Sequence, residues 1–296
     1  MPDAGARWYY WKLPQPETWA RVTAWGGYAL HQVIVWALIV RIMRKKSANT
    51  GVKRENILML GVNVVFILLH LVQTHIWYDG LAQDMPIWTS QYSVIIMLVI
   101  VLLMLFPTRG VFWGKKLKVS KPVLRFLKNS HGLYISWALV YTFWFHPMEG
   151  DTAILLGFFY MFLLMIQMSL FNTRIHFNFA WLGFLEFFVG IHGVAVALMN
   201  GQEVWTMFLF GFLFMTVFTH IHGLKLPALA KYLILAGFIG GIAAAYTYRG
   251  WENLYEIVFI PSALYGGAFA LWLILGIGFY ISSKLKGRGG GRIATR

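Results

Sequence analysis

Apolar runs of about twenty residues recur along the whole chain, and they leave few folds open to it. Wound as a helix, each run matches the hydrocarbon thickness of a bilayer. A helix also satisfies its own backbone hydrogen bonds, which lipid cannot do for it. The expected fold is therefore all-α: a polytopic integral membrane protein of nine transmembrane helices. These are expected near 22–43, 56–77, 87–107, 129–147, 152–171, 177–199, 203–222, 229–248 and 257–282. Residues 1–21 read as an outer interfacial segment, 22–283 as the helical bundle and 284–296 as a basic cytoplasmic tail. Only 12% of the residues are charged, about half the share of a soluble domain, and no polar stretch is long enough to make a separate one. The absence of cysteine excludes disulfides, iron–sulfur clusters and thiolate metal sites. The opening residues "MPDAGARWYYWKLPQPETW" have no basic region followed by a compact apolar core, so no removable signal peptide is expected.

Charge orients the bundle. All but four of the 25 basic residues fall in alternate loops: Arg41 to Arg54, Arg109 to Lys128, Arg174, Lys225 with Lys231, and the C-terminal tail. The opposite loops hold nine of the 11 acids, among them Asp3, Asp79, Asp84, Glu149, Asp151, Glu203 and Glu256. Basic loops stay in the cytoplasm, so the N-terminus is expected outside and the C-terminus inside. The net charge of +14 thus reflects loops beside an anionic leaflet, and no nucleic-acid partner is expected. The expected location is a bacterial or archaeal inner membrane, and the expected partners are the lipid bilayer, a quinone and other membrane or periplasmic subunits. The loop "RGVFWGKKLKVSKPVLRFLKN" mixes cations with Phe112, Trp113, Leu117, Val123, Leu124 and Phe126, which suits a segment lying along the inner leaflet.

Aromatic residues cluster where helices should meet headgroups: Trp8, Tyr9, Tyr10 and Trp11, then Trp77, Tyr78, Trp88 and Trp251. The stretch "WYDGLAQDMPIW" after His75 reads as a short ordered outer loop, with Asp79 and Asp84 facing water or a partner.

Nine histidines need more explanation, because ionisable residues within spans are costly and face a bundle interior or a cavity. His31, His70 and His192 lie at similar depth below the outer surface on three helices. Three imidazoles could hold a metal with an open position, or provide a haem pair with one to spare. His75 and His146 sit nearer the outer surface, and His131, His176, His220 and His222 at inner ends. Spans 4 and 6 each carry one histidine per layer, His131 with His146 and His176 with His192. In general arrangement alone this resembles the four-helix core of di-haem membrane cytochromes b. The rotation is mixed: fifteen residues turn the face by about 60° and sixteen by about 160°, so span 6 needs a kink or another ligand set. Glycine follows His131, His192 and His222 directly, which would admit a flat macrocycle or a neighbouring helix.

Glu186 is the one acid at the centre of a span, and no basic residue is expected at its depth. It reads as a proton-relay or quinone-site acid, or as a structural carboxyl hydrogen-bonded to Gln167, Asn178 or Asn63. No nucleotide loop, zinc-protease motif or nucleophile elbow occurs.

The expected function is a membrane redox subunit that binds haem b, or a His-ligated transition metal, near the outer face and transfers electrons. The expected ligands are His31, His70 and His192, for haem or metal, with His146, His131 and His176 as further haem candidates. The alternative is a cofactor-free membrane subunit of a larger complex, or a small-solute or proton transporter that uses its buried histidines and Glu186.

Overall fold

The structure is a computed structural model describing residues 12–45 and 51–289, with side chains to Leu285. The aromatic cluster Trp8, Tyr9, Tyr10 and Trp11, together with Asp3, Lys46 and the tail from 290 onward, lies outside the described residues. Nine long helices follow one another among them: α1 (Thr18–Arg44), α2 (Arg54–Trp77), α3 (Ile87–Leu105), α4 (Lys121–Phe145), α5 (Thr152–Ser169), α6 (Phe179–Met199), α7 (Trp205–Phe218), α8 (Ala228–Arg249) and α9 (Tyr255–Gly289). Short 3-10 turns occupy Leu81–Gln83, His220–Gly223 and Trp251–Asn253. Eight of these segments are long and apolar enough to cross a membrane.

α4 is the exception. Lys121, Arg125, Lys128, Asn129, Ser130 and His131 fill its first turns, so half of the presumed leaflet loop is helix. Its second half, Ala138 to Phe145, is the most thoroughly buried stretch among the described residues. A helix surrounded by protein need not be apolar on every face, which is why hydropathy alone ranks α4 low.

Local chemistry sets several helix starts. Asp151 accepts from the backbone N–H groups of Ala153 and Ile154 and opens α5, and Asn178 does the same for Ala180 and Trp181 at α6. Asn56, buried at the start of α2, donates to the carbonyls of Ser169 and Phe171 and ties α2 to the end of α5.

Six helices close into a ring, each packed on the next: α3 on α4, α4 on α5, α5 on α6, α6 on α7, α7 on α9, and α9 back on α3. α1 and α2 pack outside the α4–α5 side, and α8 lies against α7. The loops gather at two ends. One end carries the basic loops, where Trp113 N–H donates to the Phe218 carbonyl. The other carries the acids, where Tyr78 donates to Glu149 and Arg249 pairs with Glu203 and Glu256.

Candidate functional site

The outer-layer histidines do not form the expected trio. His31 on α1 is fully buried, with Nε2 at 2.9 Å from Asn63 Oδ1 and Nδ1 accepting from Trp144 Nε1 at 3.3 Å. Its ring stacks on Phe66, 4.3 Å between centroids. His70 on α2 has Nδ1 2.9 Å from Gln73 Oε1 and Nε2 2.8 Å from the His146 carbonyl. Both rings pack against Phe143 and Trp144 of α4 and line neither of the two cavities described below. All four nitrogens are engaged within the protein, so neither ring presents a lone pair to an ion. His192 lies apart, in a chamber shared with His146. Among the described residues no three His, Asp or Glu side chains are gathered to hold a metal. Helix rotation sends these histidines to different seams: His31 and His70 pack against Phe143 and Trp144, and His192 turns into the chamber with Tyr160.

Glu186 differs more sharply from expectation, because it is paired. Arg109, on the loop after α3, is almost completely buried and hydrogen-bonds the Glu186 carboxylate through Nη1. His220, at the end of α7, brings Nδ1 to 2.6 Å from the same oxygen in an ion-pair contact, off the line of a regular hydrogen bond. The Arg109 guanidinium also lies 5.6 Å over the ring of Phe179. Gly223 makes this possible: a Cβ there would fall 2.6 Å from Arg109 Nε. The presumed partners of Glu186 are spent elsewhere. Asn63 holds His31, Asn178 caps α6, and Gln167 accepts from Trp181 Nε1 at 2.7 Å.

A partly open cavity of about 910 Å³ lies among the six helices of the ring toward the basic end, with Ile39 and Met43 of α1 also on its wall. Its polar lining is Glu186, His220, Tyr160, Gln167, His131 and His176, with Lys128, Asn129, Ser136 and Asn172, and the rest is chiefly Leu, Met, Val and Phe. His131 and His176 face one another there, ring centroids 6.0 Å apart and planes inclined by 34°. Each donates its Nδ1–H to a backbone carbonyl, His131 to Lys128 at 2.8 Å and His176 to Gln167 at 3.2 Å. Both rings are thereby fixed in the tautomer that leaves the lone pair on Nε2. A second chamber of about 220 Å³ lies toward the acidic end, lined by His146, His192, Thr142 and Tyr160.

The glycines after histidine serve neighbouring side chains: a Cβ on Gly132 would meet Phe171, and one on Gly193 would meet Phe208. The loop after α2 carries the 3-10 turn Leu81–Gln83, and Asp79 is buried within it and does not face water. Its carboxylate accepts from the backbone N–H groups of Leu13 and Gly80, each at 2.8 Å. Burial pushes that carboxyl above its ordinary range, against the pull of the two N–H donors. Asp84 is held low instead, chiefly by its hydrogen bond from the Arg21 guanidinium at 2.8 Å, with Trp25 also donating.

Comparison of the chain with protein-family models, with curated proteins and with solved structures finds no match. The cavity is therefore read from its own residues. Arg109 and Tyr160 are the two that sequence reasoning missed. Arg109 is one cation in a basic loop, and its backbone is followed by a tight turn at Gly110–Gly114 that leaves no depth signature in the sequence.

Proposed function

We propose that the chain is a membrane redox subunit whose larger cavity would hold haem b, with His131 and His176 as the residues that would bind it. The observation that carries this reading is the pair itself: two imidazoles 6.0 Å apart on the wall of a cavity large enough for a macrocycle, each with Nε2 left as the free nitrogen. The donor set fits the group. Both ligands are imidazoles oriented by backbone carbonyls, the wall is mostly apolar apart from Lys128, Asn129, Ser136, Gln167, Asn172, Tyr160, Glu186 and His220, and no thiolate competes. Bound haem would supply one-electron carriage. The protein's part is to orient the two rings, exclude water with Leu, Met and Phe side chains, and keep a carboxylate within the same cavity. The proposal moves the site from the outer to the basic, cytoplasmic half of the bundle, because His31 and His70 have no nitrogen to give.

An absorption spectrum of the purified protein tests it. A Soret band that shifts on dithionite reduction is expected, lost in His131→Ala and in His176→Ala and retained in His31→Phe. A colourless preparation, or a band indifferent to both cavity histidines, rejects it.

A quinone is the electron-exchanging partner we favour. Glu186 and His220 line one part of a mostly apolar cavity, with Arg109 paired to Glu186 behind them, which is the chemistry a quinone headgroup with a hydrocarbon tail requires. Glu186→Gln should then weaken quinone binding, measured by equilibrium titration in detergent, without removing the Soret band.

A further inference from the structure

Six residues line both chambers: Met97, Leu98, Leu139, Tyr160, Leu164 and Val189. They form the neck between them, and Tyr160 is the only one with a polar group. On the basic side of the neck lie Glu186 and His220, and on the acidic side His192 and His146. The Tyr160 ring stands 5.9 Å from that of His192, and its hydroxyl donates to the Leu185 carbonyl at 3.2 Å. His192 Nδ1 is buried without a hydrogen-bond partner, an arrangement that costs free energy unless something reaches it. The smaller chamber has the volume of about seven water molecules. His146 ends α4 at the acidic end of the bundle, so the line Glu186, Tyr160, His192, His146 runs along most of its length.

We propose that the Tyr160 hydroxyl passes protons between the two chambers, making the ring of six helices a proton route across the membrane. The hydroxyl oxygen takes a proton from one chamber and releases its own into the other, and rotation about the C–O bond restores the starting form. Charge and atoms balance without any oxidant or reductant. A neck of Met, Leu and Val side chains would otherwise stop ions by dewetting, so transfer through a hydroxyl favours protons over larger cations.

The full chain, reconstituted into liposomes with a trapped pH-sensitive dye, tests the proposal. A potassium diffusion potential set with valinomycin provides the driving force. Wild type should acidify or alkalinise the lumen with the sign of the potential, and Tyr160→Phe should fall to the level of empty liposomes. Val189→Phe, which narrows the neck and keeps the hydroxyl, should reduce the flux as well. Wild-type flux no greater than empty liposomes overturns the route, and undiminished flux in Tyr160→Phe overturns the role of the hydroxyl. The liposomes hold neither quinone nor reductant, and the visible spectrum of the same preparation reports haem separately, so either proposal can fail without the other.

Discussion

His31 of α1 and Asn63 of α2 meet at 2.9 Å in the interior of the bundle, and Asn63 passes the contact on to α5 through Ser169 Oγ at 2.9 Å and the Met165 carbonyl at 3.3 Å. Between helices in lipid there is little hydrophobic drive to associate, so packing and such polar links supply the adhesion. Asn63→Leu strands the N–H of His31 and should destabilise the protein by about 2 kcal/mol. Unfolding in detergent micelles measures it. Ser169→Ala should cost less, because Asn63 retains the Met165 carbonyl. Equal, negligible effects would show that the chain of hydrogen bonds is incidental.

The two histidines near the end of α2 should part company. His70 is fully buried between Gln73 and the end of α4, whereas His75 is exposed and bonds only the Leu71 carbonyl of its own helix. His70→Ala should lower stability by about 1–2 kcal/mol, and His75→Ala by a few tenths at most. A larger loss in the second variant would place the important contact at the membrane surface.

Breaking the buried ion pair should cost more than removing it. Glu186→Gln leaves Arg109 buried with its charge uncompensated, an effect of about 3 kcal/mol. The double variant Glu186→Leu, Arg109→Met should recover much of that loss, since it removes the charge along with the carboxylate. A double-mutant cycle reads the coupling. Additive single effects would argue that the two side chains do not meet.

The two acids of the α2–α3 connection should respond to pH with opposite signs. Asp84 is held below its ordinary pKa by Arg21, so its share of stability is present above the ordinary value and disappears as pH falls through the folded one. Asp79 is raised by burial, so its share is present below the ordinary value and is lost as pH rises through the folded one. Asp84→Asn should therefore weaken the protein at neutral pH and match wild type in acid. Neither residue lines either of the two chambers, and haem content should not change in Asp79→Asn or Asp84→Asn. The stability of Asp84→Asn across a pH series, with the Soret absorbance of both variants, checks these statements.

The spans were readable because lipid imposes one period and one length on every helix, and most observed bounds fall within a few residues of those expected. The level of His31 and His70 along the bundle was readable too, since both rings pack against Phe143 and Trp144. Azimuth was not. Whether His192 turns toward His70 or toward Tyr160 depends on which helices become neighbours, and a single sequence does not order the ring. Arg109 shows the same limit from another side. It heads a run of basic residues, Lys115 to Lys128, at the basic end of the bundle, yet its own side chain reaches Glu186 in the interior because Gly223 on a distant loop leaves room for it.

α4 has one more consequence, for how the chain is made. Its first turns are too polar for the segment to leave the translocon for lipid unaided, yet its second half ends up at the centre of the protein. The chain preceding it in synthesis, α3, is strongly apolar and packs along it. Membrane entry of α4 is therefore expected to be a joint event, with α3 held back as a companion until the pair can be released together. Shortening or charging α3 would then misplace α4 and everything synthesised after it.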